Sequence, residues 1–193
     1  MKGWIVAISG VVIFAGLIYL AFRPASKPAT LGNQIAQSQQ IQGTSNQNSQ
    51  EVKAIDYTLE TFNGKQINFS AVNSQKPVVI QIWATWCEVC EREFPENNKI
   101  AQKYKDQIEY HAVNIGGSDQ TPKAIGSYVK RKNLDSDAIK FLVDMKAEVS
   151  SKYGFRATPQ HLFVAKDGVI KYYKPGYMSP LEMEEQFQAL IQN

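Results

Sequence analysis

Along the chain the balance of apolar and polar positions changes twice, and each change marks a different kind of segment. From Gly3 to Phe22 the stretch GWIVAISGVVIFAGLIYLAF runs 20 residues without a charge, between Lys2 and Arg23. At about 1.5 Å of rise per residue, a helix of that length matches a bilayer core of roughly 30 Å. Residues 1–23 are therefore expected to form a transmembrane anchor. A buried core helix would keep a polar face, and a cleaved signal peptide has an apolar region of only about 7 to 15 residues. Lys2 and the terminal amine on one side tie with Arg23 and Lys27 on the other, so flanking charge does not orient the segment. Residues 24–53 are then rich in Gln, Asn, Ser, Pro and Gly, with two Ile and one Leu. So little apolar surface cannot offset the entropy of ordering, and a flexible polar linker with a reach of about 30 Å is expected.

Residues 54–193 carry the alternation of a folded α/β domain. IDYTLETF and QINFSAV read as two strands around Asn63-Gly64, a hairpin dipeptide because both residues tolerate positive φ. KPVVIQIWA is almost continuously apolar, as in a central strand covered on both faces. A helical pattern follows from about Val89 to Tyr104, with Pro95 inside it. IEYHAVNI reads as a second buried strand. TPKAIGSYVKRKN reads as a helix with Thr121 as N-cap and Pro122 at its first position. KFLVD is a further short strand, followed by a short helix near Lys146 to Tyr153. HLFVAKDGVIKYYK is a hairpin turning at Asp167-Gly168, and SPLEMEEQFQALIQ is a closing amphipathic helix with Ser179 as N-cap.

Composition supports a real core in this part, with 44% hydrophobic residues, three Trp, nine Tyr and nine Phe in the whole chain. The net charge of +3 overstates its basicity, because from Lys53 onward 18 basic residues face 17 acidic ones. That balance gives no electrostatic case for nucleic acid.

The two cysteines, Cys87 and Cys90, lie together in WATWCEVCEREFP, at the turn from the apolar strand into the long helix. At this spacing two thiols serve as a structural disulfide, as half of a zinc site, or as a redox dithiol. A bridge closing so small a loop stabilises little. Zinc would need further ligands, and His111 and His161 fall on expected buried strands without ligand spacing, which reads as two core histidines. At a helix N-terminus, by contrast, unpaired N–H groups and the dipole stabilise a thiolate. Cys87 is therefore the expected nucleophile on a target disulfide, and Cys90, one turn inside, the thiol that resolves the mixed disulfide. Trp83 is expected to pack inward, and Trp86 to border the sulfur and shape the binding surface.

WATWCEVCEREFP together with ATPQHLF and GYMSP makes the region from about Ile55 to the C-terminus resemble the TlpA/ResA-like, membrane-anchored branch of the thioredoxin superfamily, whose members include reductases serving cytochrome c maturation. The resemblance implies an α/β thioredoxin-like fold, a central mixed sheet flanked by helices with an N-terminal β-hairpin, here preceded by one transmembrane helix. It implies that Cys87 and Cys90 form a redox-active disulfide, and it matches Glu93 to the buried acid of the ResA-like group, three residues beyond Cys90 and on nearly the same helix face. Without the resemblance Glu93 reads as a surface acid among Glu88, Glu91 and Glu96. Thioredoxin itself has a buried Asp six residues before the first cysteine, where this chain has Gln81. The resemblance further implies a cis Thr158–Pro159 bond against the cysteines, with Thr158 pairing to an incoming peptide beside Trp86.

The implied partners are disulfide-containing exported proteins, including the haem-attachment CxxCH of apocytochromes c, and a membrane thiol carrier as electron donor. No cofactor and no metal are expected. Glu88 beside Cys87 should disfavour the thiolate and lower the reduction potential, which favours a reductase. An oxidase or isomerase of secreted proteins is the alternative reading, and a CxxC metal-binding domain is another. A tethered dithiol would be redundant in a cytosol rich in soluble thioredoxin, so the domain is expected on the periplasmic, extracytoplasmic side of a bacterial cytoplasmic membrane.

Overall fold

The computed structural model describes residues 51–117, 120–154 and 157–192. The expected anchor (1–23) and all but the last residues of the expected linker lie outside them. Among the described residues no helix is long and apolar enough to cross a membrane. The chain joins the fold by Val52, whose carbonyl accepts from Ile170 N, while Ala54 N donates to Gly168 O.

In chain order the elements are β1 (Thr58–Thr61), β2 (Gln66–Asn68), α1 (Phe69–Asn73), β3 (Val78–Trp83), α2 (Glu88–Tyr104), β4 (Glu109–Asn114), α3 (Pro122–Arg131), β5 (Ile139–Val143), α4 (Glu148–Lys152), β6 (Gln160–Val164), β7 (Ile170–Pro175) and α5 (Pro180–Gln192). The strands form one mixed sheet in the order β2-β1-β5-β4-β3-β6-β7. β3, β4 and β5 run parallel, and β6 pairs antiparallel with both β3 and β7. This is the expected thioredoxin-like arrangement, with the β1–β2 hairpin added at one edge through β1 and β5.

Each parallel strand is covered on both faces, which explains why VVIQIW is buried at all six positions. On one face Trp83 packs against Phe94 of α2, Tyr128 of α3 and Phe141 of β5, with ring centroids 5.0 to 5.7 Å apart. Ile125, Met183, Phe187 and Leu190 complete that core. On the other face Ile80, Ile82, Leu142 and Leu162 meet Phe69, Val149 and Tyr153.

Two local expectations are corrected. QINFSAV is not one strand: β2 ends at Asn68, whose Oδ1 accepts from Ala71 N at 2.8 Å and so caps α1. Asp56 Oδ1 accepts from Ser70 N and adds a second acceptor at the same helix start. An Asn cap wins here over the β propensity of Phe69 and Val72 because the next turn can bury Phe69. The last residue of KFLVD also changes role. Asp144 lies beyond β5, and its carboxylate accepts from the N–H groups of Glu148, Val149 and Ser150, holding the start of α4.

His111 shows how this packing acts on stability. It is fully buried on β4, with Nδ1 2.8 Å from Tyr57 Oη. Burial lowers its pKa from the ordinary 6.5 to about 4. Between those values the unfolded chain binds a proton that the folded chain refuses, so stability rises with pH across this window and is full above it. At about 1.4 kcal/mol per unit, the loss on acidification reaches roughly 3 kcal/mol. Urea midpoints at pH 7 and pH 5 should therefore differ more for the wild-type chain than for His111→Gln, and an equal difference in both would show that His111 does not carry this dependence.

Candidate active site

One end of the sheet gathers the residues that carry chemistry. The parallel run of β3, β4 and β5 brings the loops after Trp83, Asn114 and Val143 to the same end. The antiparallel register sets Gln160 opposite both Ile82 and Pro175, which adds the start of β6 and the loop after β7. The Thr158–Pro159 bond is cis, and Gly176 N donates to Pro159 O at 2.8 Å. Pro159 is buried and Thr158 half-buried.

Cys87 is the N-cap residue of α2 and is closed in a disulfide with Cys90. Cys87 Sγ accepts from Cys90 N at 3.1 Å, so the sulfur takes the place a Ser or Asp oxygen fills at other caps. Cys87 keeps a trace of exposure and Cys90 has none. Glu88 is exposed beside them, and Glu91 is ion-paired with Lys132 of the α3 end, which offsets part of the negative charge of the first turn. Trp83 is fully buried, whereas Trp86 is 57% exposed.

The turn before the cysteines is held by a polar clamp. Gln120 Oε1 accepts from Thr85 N at 2.9 Å, and Gln120 Nε2 donates to Thr85 Oγ1 at 2.8 Å. Asn114 Nδ2 donates to the same Gln120 oxygen, and Asn114 Oδ1 accepts from Gly116 N. Gly116 has φ +77°, and a Cβ there would stand 2.3 Å from Asp144 O, so no other residue fits this crossing of two loops.

Beneath the disulfide lies Glu93, 3% exposed. It is no surface acid. Its Oε1 accepts from Met178 N at 2.7 Å, and its Oε2 lies 3.0 Å from Gln81 Nε2 and 3.2 Å from His161 Nε2. Gln81 is oriented by Tyr110, whose hydroxyl donates to Gln81 Oε1 at 2.6 Å. Burial first, and the nearby Glu93 charge second, push the Tyr110 pKa well above its ordinary range, so the phenol stays a neutral donor. The structure thus brings Cys87, Cys90, Glu93, Trp86, Thr158 and Pro159 to one end of the fold. It adds four residues that the motif reading did not place there as a group: Gln81, His161, Asn114 and Gln120. His161 was expected to be an ordinary strand histidine. The available sequence signal was its alternation with Phe163, which sets both on the face of Gln81.

Comparison with known proteins agrees with this geometry. The Redoxin family profile matches residues 47–191. The thiol-disulfide oxidoreductase ResA of Halalkalibacterium halodurans is 30% identical over 72% of this chain and 75% of its own length. The thioredoxin-like protein YneN of Bacillus subtilis is 27% identical over 69% of this chain and 75% of its own. Among solved structures, the exposed lipoprotein thioredoxin Etrx1 of Streptococcus pneumoniae aligns with a TM-score of 0.59 at 25% identity, over 70% of this chain and all of that one. MTB DsbF, solved in mixed oxidised and reduced forms, aligns with a TM-score of 0.61 at 25% identity, over 69% of this chain and 94% of its own. With a cysteine pair closed at the start of α2 and a buried carboxylate one turn beyond, the chain belongs to the Redoxin family, among its ResA-like thiol-disulfide oxidoreductases.

Proposed function

We propose that this chain reduces disulfides in exported proteins, with Cys87 as nucleophile, Cys90 as resolving thiol and Glu93 as the group that exchanges the Cys90 proton. The observation that carries the reading is the Cys87–Cys90 disulfide set at the N-terminus of α2 with the Glu93 carboxylate buried one turn deeper. The helix terminus favours the anion that attacks, and the carboxylate offers a base where the second thiol must lose its proton.

The reduced enzyme attacks through the Cys87 thiolate. One target sulfur leaves and takes up a proton, and the other is bound to Cys87. Cys90 then gives its proton to Glu93 and attacks Cys87 Sγ, which re-forms the enzyme disulfide and releases the second target thiol. Two electrons pass from enzyme to target, and the two target sulfurs leave as thiolates that take their protons from water. A thiol carrier in the membrane is the proposed source of the electrons that reopen the bond.

A polypeptide substrate is supported by the rim of the site. Trp86, Tyr177 and Met145, respectively 57, 52 and 47% exposed, all stand on loops at this end of the sheet. Exposed aromatic and methionine side chains around a reactive sulfur suit adaptable contact with an extended peptide. Thr158, just before the cis bond, is proposed to pair with that peptide through its backbone. Apocytochrome c, with its paired haem-attachment cysteines, is the substrate proposed within this class. The proposed setting is the outer face of a bacterial cytoplasmic membrane, reached through the apolar segment at residues 3–22.

Trapping separates the two cysteines. In the full-length chain, Cys90→Ser should accumulate covalent adducts with target proteins through Cys87, while Cys87→Ser should accumulate few; equal trapping by both would exchange or erase the assigned roles. Equilibration with glutathione should give a reduction potential below about −220 mV, at the thioredoxin end of the scale, whereas a value near −120 mV would mark an oxidant and defeat the reductase reading. A reporter fused after Asn193 is expected to be active only outside the cytosol, and cytosolic activity would overturn the topology.

A further inference from the structure

Trp86, next to Cys87 in the chain, has little of its own to hold it. Its side chain is 57% exposed, and among the described residues its ring meets no other ring and its Nε1 finds no acceptor. Its place is therefore set by the backbone of the turn between β3 and α2. The base of that turn is held by backbone hydrogen bonds, from Ile115 N to Trp83 O at 3.0 Å and from Cys87 N to Ala84 O at 3.1 Å. The disulfide fixes the far side of the turn at Cys87, but that bond opens in every cycle of thiol–disulfide exchange. Between the two stands Thr85, whose backbone and side chain are both bound by one residue, Gln120.

The hydrogen bonds fix which atom of each amide faces which partner. Thr85 N and Gly116 N can only donate, so Gln120 turns Oε1 to Thr85 and Asn114 turns Oδ1 to Gly116. Asn114 Nδ2 is then the donor to Gln120 Oε1 at 2.8 Å, and Gln120 Nε2 the donor to Thr85 Oγ1 at 2.8 Å. Gln120 and Asn114 are fully buried, so an apolar side chain at 120 would take the acceptor away from both Thr85 N and Asn114 Nδ2. The loop that supplies this clamp is itself seated on the loop that carries Met145, because a Cβ on Gly116 would meet Asp144 O and Met145 O. The clamp thus ties together the loops that present Trp86 and Met145. None of its hydrogen bonds involves a sulfur, so the opening of the disulfide leaves it in place.

We propose that Gln120 is a positioning residue of the dithiol site: through Thr85 it holds Trp86 beside the open Cys87 thiolate, and so governs the reduction of polypeptide disulfides but not of small ones. This rests on the reading of disulfide-bonded polypeptides as targets. A target chain must lay its disulfide in line with Cys87 Sγ, and the contacts that orient it are those of its flanking residues with the rim. A tryptophan released from the clamp would have to be ordered by the target as it binds, which weakens the encounter. A small disulfide has no flanking residues. It meets only the sulfur, and its rate is set by the thiolate itself. This selectivity separates positioning from a structural role, which would touch both reactions alike.

The test compares two disulfides in single turnovers of the reduced full-length chain: a synthetic peptide closed by a disulfide within a Cys-x-x-Cys-His segment, and bis(2-hydroxyethyl) disulfide. Acid quenching and alkylation read the oxidation of Cys87 and Cys90, the only cysteines in the chain. Gln120→Met keeps the length of the side chain and removes the clamp. It should slow oxidation by the peptide about tenfold or more and leave oxidation by the small disulfide within about twofold, the scale expected of a misplaced binding group. Thr85→Val removes only the bond at Oγ1 and keeps that of Thr85 N, so it should show the same split to a smaller degree, and it carries the test if Gln120→Met does not fold. In a Trp86→Ala background, itself slow with the peptide, Gln120→Met should add less than about twofold, because Gln120 acts through Trp86. Equal slowing with both disulfides, wild-type rates with the peptide, or an undiminished effect beside Trp86→Ala would each overturn the proposal. A wild-type chain oxidised by the small disulfide but not by the peptide would instead defeat the reading of polypeptide targets, and this proposal with it. The ring gives an independent check. In the reduced chain the indole N–H of Trp86, identified by its loss in Trp86→Ala, should show a lower NMR order parameter in Gln120→Met than in wild type, and an equal one would overturn the clamp's hold on the ring.

Discussion

A carboxylate shut away from water must be supplied with donors, and the supply of donors to Glu93 ties the structure together. Burying an ionised carboxyl group without partners costs several kcal/mol. The three donors come from three separate places: Gln81 in β3, His161 in β6, and the backbone of Met178 between β7 and α5. For all three to converge, β3 and β6 must pair with residue 81 opposite residue 161. A slip of one residue in β6 would turn His161 to the other face of the sheet. The chain must also turn after β7, at Gly176 with φ +79°, to bring Met178 N inward. One group thus holds the register of the central sheet, the docking of α2 and the entry into α5.

The same arrangement sets the position of the sulfurs. Because α2 is fixed through Glu93 one turn past Cys90, and through Phe94 on Trp83, its N-terminus is aimed at the loop end of the sheet. There the clamp of Gln120 and Asn114 on Thr85 holds the turn that carries Trp86 and Cys87. The core below the cysteines is aromatic and close-packed, while the rim above them leaves Trp86 and Tyr177 to solvent. A rigid floor and an apolar, open rim are what a thiol needs to meet varied polypeptide chains in one reactive geometry.

Much of this was legible from local pattern. The continuous run VVIQIW announced a strand covered on both faces, and Thr121-Pro122 and Ser179-Pro180 announced two helix starts. The Asn63-Gly64 and Asp167-Gly168 dipeptides announced two turns, where Gly64 and Gly168 have φ +85° and +84°. Each signal involves residues within a few positions of one another, and the local backbone responds to them directly. Where two local signals competed, as between the strand pattern of QINFSAV and the capping power of Asn68, the outcome turned on what Phe69 could bury, and that is set by distant parts of the chain.

The sequence by itself determined the order of elements, the placement of the cysteine pair at a helix start, and through resemblance the standing of Glu93 and Pro159. The tertiary structure alone decided which polar groups meet. Gln81 and Glu93 are 12 residues apart, Glu93 and His161 68, and Glu93 and Met178 85. Nothing in hydrophobic periodicity separates a histidine that fills a core from one that faces a carboxylate, because both sit on the inward side of a strand. The distinction arises only when the sheet register and the docking of α2 bring the two side chains to the same point, since hydrogen bonding depends on distance in space and not on separation along the chain.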